Sequence, residues 1–379
     1  MTRIGVAALE PSADHLAAGL VRALVAQDPA AQVSGLGGTA FGAAGATVIE
    51  SADTTAVMGL VEVVAHLPRL LALRGRLARH FLGARPDVFV GVDAPDFNIG
   101  LDLRLRRAGI RTVQYVGPSV WAWRRYRLRT LARAVDRVLV LFPFEQQVYE
   151  AAGVPCTYVG HPLADQVPMA PDRDGARRRL QLAHDARVVA LLPGSRDAEL
   201  TQHAGLFIDA AAHVARRLPD ARFVSSLATE AAARSVRAAL QRRAGAPAVT
   251  VYCGRMADVL SAADVAIVAS GTATFEAMLY KVPMVVAYRM NPVSFHIIRS
   301  LVRVRYAALP NLICDAEVVP ELLQDRCRPL ALADATLRWL GDAAAMAALR
   351  EEFARRHATL RCGASARAAA AVLAVARGE

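Results

Sequence analysis

Lysine is nearly absent from this chain, cysteine is sparse, and no long apolar run occurs. The basic charge is therefore carried by arginine, a compositional bias that indicates no function by itself. The five cysteines (Cys156, Cys253, Cys314, Cys327 and Cys362) are scattered, odd in number and never spaced Cys-x-x-Cys. That argues against a disulfide framework or a thiolate metal site and fits a reducing cytosol. No cluster of metal-ligand type is visible, so no metal site is expected. No run of about 18 apolar residues is present, so no transmembrane helix is expected. Met1-Thr-Arg-Ile-Gly5 leads straight into an apparent strand without a signal-peptide core. There is no internal repeat and no G-x-G-x-x-G.

What remains is a globular chain: 54% of residues are hydrophobic and 21% charged, and 379 residues suit about two domains. The net charge of +11 implies an anionic partner. Nucleic acid, an acidic membrane surface and phosphorylated substrates all qualify.

The most informative stretch is Ala266-Ile-Val-Ala-Ser-Gly-Thr-Ala-Thr-Phe-Glu276. It reads as a buried strand, a small-residue turn and the first turn of a helix. Gly271 permits close approach of a ligand, and Ser270 or Thr272 can cap the helix. The unpaired N–H groups at such a helix start, together with its dipole, suit a diphosphate. Glu276, one turn in, is placed to accept bonds from a vicinal diol such as a ribose. The same stretch also reads as an ordinary βα turn.

Earlier in the chain, Ile4 to Leu9 reads as a strand, Glu10 to Asp14 as a turn, and His15 to Ala26 as a helix. Glu10, Ser12 and Asp14 then lie at a strand's carboxyl end, where open α/β sheets bind ligands. The other reading makes Ser12 or Asp14 a helix cap. Gly35 to Gly38 reads as a loop. Val57 to Pro68, with arginines 69, 74, 76 and 79 after it, reads as an apolar helix pair broken at Pro68 or as a lipid-facing surface. Val88 to Val92 is a strand ending in Asp93. Burial and the nearby Asp96 would tune that carboxylate for general-base work.

Trp121 and Trp123 stand beside Arg124, Arg125 and Arg127, as a stacking platform or as a wall for a sugar and phosphate. After a linker near Met169 the βα pattern restarts. Val188 to Leu192 ends in Pro193-Gly-Ser-Arg196, where Gly194 and Ser195 suit an anion and Arg196 can clamp phosphate. Residues 295–305 form an amphipathic segment with interleaved arginines. Glu321 to the end reads as helical. Two α/β halves of similar length result, with phosphate-type loops in the second and carboxylates and aromatics in the first.

Asp87 to Asn98, Pro118 to Trp123, Gly160-His-Pro162, Leu192 to Arg196, Ala269 to Ala273 with Glu276, Tyr288-Arg289 and Leu309-Pro-Asn311 occur in that order. Together they resemble the lipid-A-disaccharide synthase family from about Ile4 to Cys362. The resemblance implies an α/β fold of two Rossmann-like domains facing a cleft, the GT-B glycosyltransferase arrangement. Residues 1–167 would form the acceptor side and 168–340 the UDP-sugar side. The C-terminal helices 341–379 would pack back on the first domain or on a partner subunit. It implies transfer of 2,3-diacylglucosamine from UDP to the 6-hydroxyl of 2,3-diacylglucosamine 1-phosphate, with inversion and without a metal or a cofactor, the UDP-sugar being a substrate.

On that resemblance Asp93 is the base, with Glu10 second. Gly194, Ser195, Arg196, Met256, Ser270, Gly271, Thr272, Ala273 and Glu276 bind the donor. Ser12, Asp96, Asn98, Trp121, Trp123, Arg289 and Asn311 bind the acceptor or its phosphate. The enzyme would be cytoplasmic, peripheral on the anionic inner-membrane surface, compatible with a homodimer, and without a nucleic-acid partner. One departure concerns the first loop: the family's Gly-Glu-x-Ser-Gly-Asp is Leu9-Glu-Pro-Ser-Ala-Asp14 here, which adds bulk where backbone freedom was expected. The alternatives are a diverged paralogue acting on another UDP-sugar and a non-catalytic anionic-lipid-binding protein.

Overall fold

The computed structural model describes residues 1–52, 62–118, 127–290 and 305–379, with 62–66 described by backbone alone. The chain divides into two units, Met1–Asp165 with Leu360–Glu379, and Gln166–Thr359.

The first unit is built on a seven-stranded sheet of β1 (Arg3–Ala8), β2 (Gln32–Gly37), β3 (Thr47–Ser51), β4 (Val88–Val92), β5 (Arg111–Tyr115), β6 (Arg137–Val140) and β7 (Cys156–Tyr158). The order is β3-β2-β1-β4-β5-β6-β7, and every pairing is parallel. A parallel sheet is covered on both faces, so its central strands read as unbroken apolar runs; all five residues of β4 are buried. The intervening helices are α1 (Pro11–Gln27), α2 (Thr39–Ala43), α3 (Glu62–Ala84), α4 (Pro95–Arg107), α5 (Arg127–Ala134), α6 (Pro143–Glu150) and α7 (Pro162–Gln166). Leu73, Leu77 and Phe81 of α3 join Phe89 of β4 and Leu101 of α4 in one core cluster.

The second unit repeats the plan with six parallel strands, β8 (Val188–Leu192), β9 (Arg222–Leu227), β10 (Val249–Cys253), β11 (Val265–Ala269), β12 (Met284–Tyr288) and β13 (Glu321–Leu323). Their order is β10-β9-β8-β11-β12-β13. Its helices are α8 (Arg173–Arg179), α9 (Asp197–Arg217), α10 (Glu230–Gln241), α11 (Met256–Ala262), α12 (Thr272–Leu279), α13 (Leu309–Cys314), α14 (Pro329–Gly341) and α15 (Ala343–Leu360). The last helix, α16 (Ala364–Arg377), returns to the first unit.

In each sheet the strand order reverses beside its first strand, between β1 and β4 and between β8 and β11. Ligands of open α/β sheets bind outside the carboxyl ends at such switch points. Ala8 pairs with Val92 and Leu192 with Val268, so the loops after each pair of strands start level.

Several expectations change. The C-terminal segment does not act as one body: α15 stays with the second unit, and only residues 360–379 join the first. Gly363 turns the chain at a φ of 72°, and the main-chain N–H groups of Gly363 and Ala364 donate to Asp165. Ala368, Ala369, Val372 and Leu373 are buried, and Gln27 of α1 donates to the Ala366 carbonyl at 2.8 Å. Residues 343–377 contain one 18-residue window apolar enough, at a mean hydropathy of 1.2, to span a membrane, and 44% of that window is buried. α3 runs through Pro68 rather than breaking there. Gly35 to Gly37 lie in β2 rather than in a loop, and Glu321 begins a strand rather than a helix.

The first helix starts at Pro11, not His15, because proline at the first helical position gives up no needed N–H. Ala13 is therefore helical and fully buried, and no positive φ is required where the family has glycine. Leu9 packs against the core cluster. Asp14 caps α2 rather than its own helix, accepting from the N–H groups of Gly38, Ala40 and Phe41 at 2.6, 2.9 and 3.1 Å.

Candidate active site

β4 ends in two consecutive non-glycine residues with left-handed backbones, Asp93 (φ 51°) and Ala94 (φ 40°). Each such residue costs about 1–3 kcal/mol and persists only where its surroundings over-determine it. Here they do. The Asp93 N–H donates to the Tyr115 carbonyl at 2.8 Å. The Asp93 carbonyl accepts from Asn98 Nδ2 at 2.8 Å and from Gln114 Nε2 at 3.0 Å. Gln114 Nε2 also donates to the carbonyl of Val116, itself left-handed at φ 68°. Burial raises the Asp93 carboxyl above its usual range, against a smaller opposing effect of the Ala94 N–H. Asp96 does not contribute to this shift. It is exposed at the start of α4, where an acid suits the helix dipole, and it pairs with Arg127.

Glu10 stands at the N-cap of α1, exposed, after the neighbouring strand β1; Ser12 is exposed in the first helical turn. Of these two acids, Asp93 is the one whose carboxyl is desolvated, while Glu10 is exposed. Asn98 does not face an acceptor. It is fully buried, and its amide also reaches the Ala7 and Val92 carbonyls at 3.3 and 3.2 Å, so it holds the two strand ends. Trp121 and Trp123 lie outside the described residues, as do residues 57–61 and 295–304 of the two candidate lipid-facing segments. His161 behaves structurally: burial pushes its pKa down to about 4, and Nδ1 accepts from the Leu163 N–H.

In the second unit, β11 exits through Ser270 and Gly271 into α12. Gly271 occupies the cap position with φ 155° and ψ −162°, a combination open to glycine, and no side chain caps the helix. Neither Ser270 nor Thr272 takes that role: Ser270 Oγ donates to the Ala307 carbonyl at 3.0 Å. The N–H groups of Thr272 and Ala273 thus have no acceptor among the described residues, and the positive end of the dipole is open. Glu276 is half-buried one turn along, its carboxylate without a hydrogen-bond partner among the described residues, and burial raises its pKa.

The β8 exit differs from expectation. Gly194 turns at φ 115°, where a Cβ would fall 2.5 Å from Glu199 Oε2. Glu199 itself takes the helix start, accepting from the N–H groups of Ser195 and Arg196 at 3.0 and 3.4 Å and pairing with Arg196 at 3.3 Å. The amides near Gly194 are therefore not an open anion cradle. What remains exposed is the Arg196 guanidinium. Met256, half-buried, opens α11 at the same carboxyl edge of the sheet.

His203 was not singled out by sequence. It is buried in α9, with Nδ1 3.2 Å from the Pro193 carbonyl and Nε2 accepting from the Arg289 N–H at 2.9 Å. A carbonyl only accepts and a backbone N–H only donates, so the ring carries one proton, on Nδ1. Burial lowers its pKa and keeps it neutral. His203 ties the β8 exit loop to the β12 exit and leaves the Arg289 side chain exposed. Its signal was a polar ring among the apolar positions Leu200, Ala204 and Phe207 of one helix face.

Asn311, expected at a phosphate, is fully buried. Its amide donates to the Val319 carbonyl and Glu321 Oε1 at 2.9 and 2.8 Å and accepts from the Val318 and Val319 N–H groups at 2.9 Å. Glu321 also accepts from Ala307 and Ala308, so the pair clamps the segment that receives Ser270. Asn311→Ala is expected to destabilise the protein by about 2–3 kcal/mol, because buried donors and acceptors lose their partner. Denaturant unfolding reads this directly; an unchanged midpoint would remove Asn311 from the clamp.

A model of the family described as lipid-A-disaccharide synthetase matches residues 4–373. The lipid-A-disaccharide synthase of Alkalilimnicola ehrlichii is 47% identical over 379 residues, covering 100% of this chain and 99% of the relative. That of Azotobacter vinelandii is 47% identical over 372 residues, covering 98% and 97%. Among solved structures, the glycotransferase of kitacinnamycin superposes with a TM-score of 0.62 at 18% identity, over 99% of this chain and 98% of that one. At that identity the likeness shows the fold alone, a GT-B glycosyltransferase fold.

Proposed function

The chain belongs to the lipid-A-disaccharide synthase family, a family of UDP-sugar glycosyltransferases of lipid A biosynthesis, and from that premise we propose its substrates and the role of each side chain. The donor is UDP-2,3-diacylglucosamine and the acceptor 2,3-diacylglucosamine 1-phosphate. The carboxylate of Asp93 takes the proton of the acceptor 6-hydroxyl. The freed oxygen pair attacks the anomeric carbon, the bond from that carbon to the diphosphate oxygen breaks, and UDP leaves with the electron pair. Attack opposite the leaving group inverts the anomeric centre.

No metal enters this reading. The developing charge on the diphosphate falls to the Arg196 guanidinium and to the N–H groups of Thr272 and Ala273, donors already fixed at the open start of α12. Glu276 accepts from the ribose hydroxyls. Arg289 meets a substrate phosphate. Asn98, Asn311 and His203 act behind these groups by holding their loops.

The observation that carries the reading is the desolvated Asp93 carboxylate in a turn pinned by two side-chain amides. Perturbed carboxyls at strand exits are where general bases are found. The substrates carry acyl chains, and α3 exposes Leu67 and Leu71, one turn apart, with Arg69 between them. We read this face as contact with an anionic membrane surface from the cytoplasmic side.

The test is transfer of labelled 2,3-diacylglucosamine 1-phosphate into disaccharide with the UDP donor in mixed micelles. Disaccharide and stoichiometric UDP are expected. A folded, UDP-binding chain that forms no disaccharide would sink the substrate assignment and leave a paralogue acting on another UDP-sugar.

A further inference from the structure

Behind the Asp93 turn the first unit buries three polar side chains whose hydrogen-bond accounts do not close. The NH₂ groups of Asn98 and Gln114 are used on main-chain carbonyls, both reaching that of Asp93. Their oxygens, Asn98 Oδ1 and Gln114 Oε1, have no donor among the described residues. Asp102 lies one helical turn along α4 from Asn98, fully buried, and neither of its oxygens has a partner. Residues four apart on a helix are neighbours on one face. Gln114 pairs in register with Gly91, and a Cβ on Gly91 would fall 2.8 Å from Asn98 Cβ and 3.0 Å from Gln114 Oε1. The Asn98 and Gln114 side chains therefore meet over Gly91 beneath the turn, and the buried Asp102 carboxyl lies on the same face of α4, one turn from Asn98.

Amide oxygens only accept, and an ionised carboxylate only accepts. With Asp102 ionised, four acceptor atoms would share this interior without a donor, which native proteins rarely tolerate. No charged side chain offsets this, and burial drives the carboxyl well upward. One proton on Asp102 supplies the missing donor.

We propose that Asp102 is a neutral carboxylic acid that donates to an amide oxygen of the Asn98–Gln114 pair, and is thereby a positioning residue for the Asp93 turn. The bond fixes which way the amides face, and so keeps their NH₂ groups on the Asp93 carbonyl. Asp102 does not touch substrate. The proposal deepens the reading of Asp93 as the base and rests on it for its kinetic arm alone.

The test compares the full-length native protein with D102N and D102L. A carboxamide always donates, whereas leucine keeps volume without a donor. D102L is expected to lower kcat roughly tenfold or more, with both KM values within about twofold, because a displaced base costs rate and not binding. D102N is expected to restore kcat to within about threefold of native. Independently of turnover, the native protein should show the carbonyl stretch of a protonated carboxyl at pH 8 in the infrared, absent from D102N. A native spectrum without that band, a D102N as impaired as a folded D102L, or a fully active D102L would each overturn the proposal. Should D102L fail to fold, the band and the D102N kinetics decide. If Asp93→Ala keeps its activity while the band persists, the base reading alone has failed.

Discussion

Asp93→Asn is expected to lower kcat by roughly 10²–10⁴-fold with little change in the KM of the UDP donor. The substitution keeps shape and hydrogen bonding and removes only the ability to accept the acceptor's proton. The native rate should fall on the acid side with a limb above the usual carboxylate range, because burial raises the Asp93 pKa. The limb should vanish from the residual rate of the variant. Stability should move the other way. A folded-state carboxyl pKa raised above its unfolded value is an ionisation penalty, present at neutral pH and relieved as pH falls through the folded value. Asp93→Asn should therefore unfold at higher denaturant than native at pH 7, with the difference shrinking in acid. Pre-steady-state transfer, a pH–rate profile and unfolding curves at two pH values read all three. Retained kcat in the variant would discard Asp93 as base and return attention to Glu10.

Arg196→Ala should lower kcat by roughly 10²–10³-fold, the loss typical of removing one preorganised donor to a developing anion. The exposed Arg196–Glu199 ion pair does not compete strongly, since pairs of this kind contribute about 0–1 kcal/mol. The guanidinium can therefore leave Glu199 for a phosphate. Without it, Glu199 stays bonded to the Ser195 amide and presents an uncompensated carboxylate beside the leaving group. Arg196→Lys should recover part of the loss as a point charge without bidentate geometry. Single-turnover UDP release measures the step. Native-like turnover in the alanine variant would assign the diphosphate to the start of α12 alone.

The strands that carry these residues were legible because a parallel sheet buries both faces. Val88 to Val92 and Val188 to Leu192 are apolar runs stopped by polar turns, and the structure keeps their bounds; the run read from Ala266 begins one residue earlier, at Val265. The polar residues after them were legible as types but not always as roles. Asn98 sits six residues beyond a strand end and bonds the Ala7 carbonyl, 91 positions away. Asp14 follows a strand exit yet caps a helix 24 residues later. Local spacing cannot distinguish a side chain that faces a ligand from one that bonds a distant backbone, because the partner is supplied by tertiary packing. Glu199 was the opposite case. An acid three residues after Arg196 is a capping pattern, and it cancels the anion site that the glycine alone suggested.

The return of α16 to the first unit has a consequence for how the protein is made. The second unit is an insertion between the first 165 residues and the helix that completes their core. A ribosome adding about 5–20 residues each second needs on the order of 10–40 s to make the intervening, roughly two hundred residues. During that interval the nascent first unit carries the uncovered surfaces of α1 and its sheet, while the second unit, contiguous in sequence, emerges and can close. The half that begins first is thus the half that finishes last. The sheet that carries the Asp93 strand gains its last covering helix only once Ala364–Arg377 has emerged.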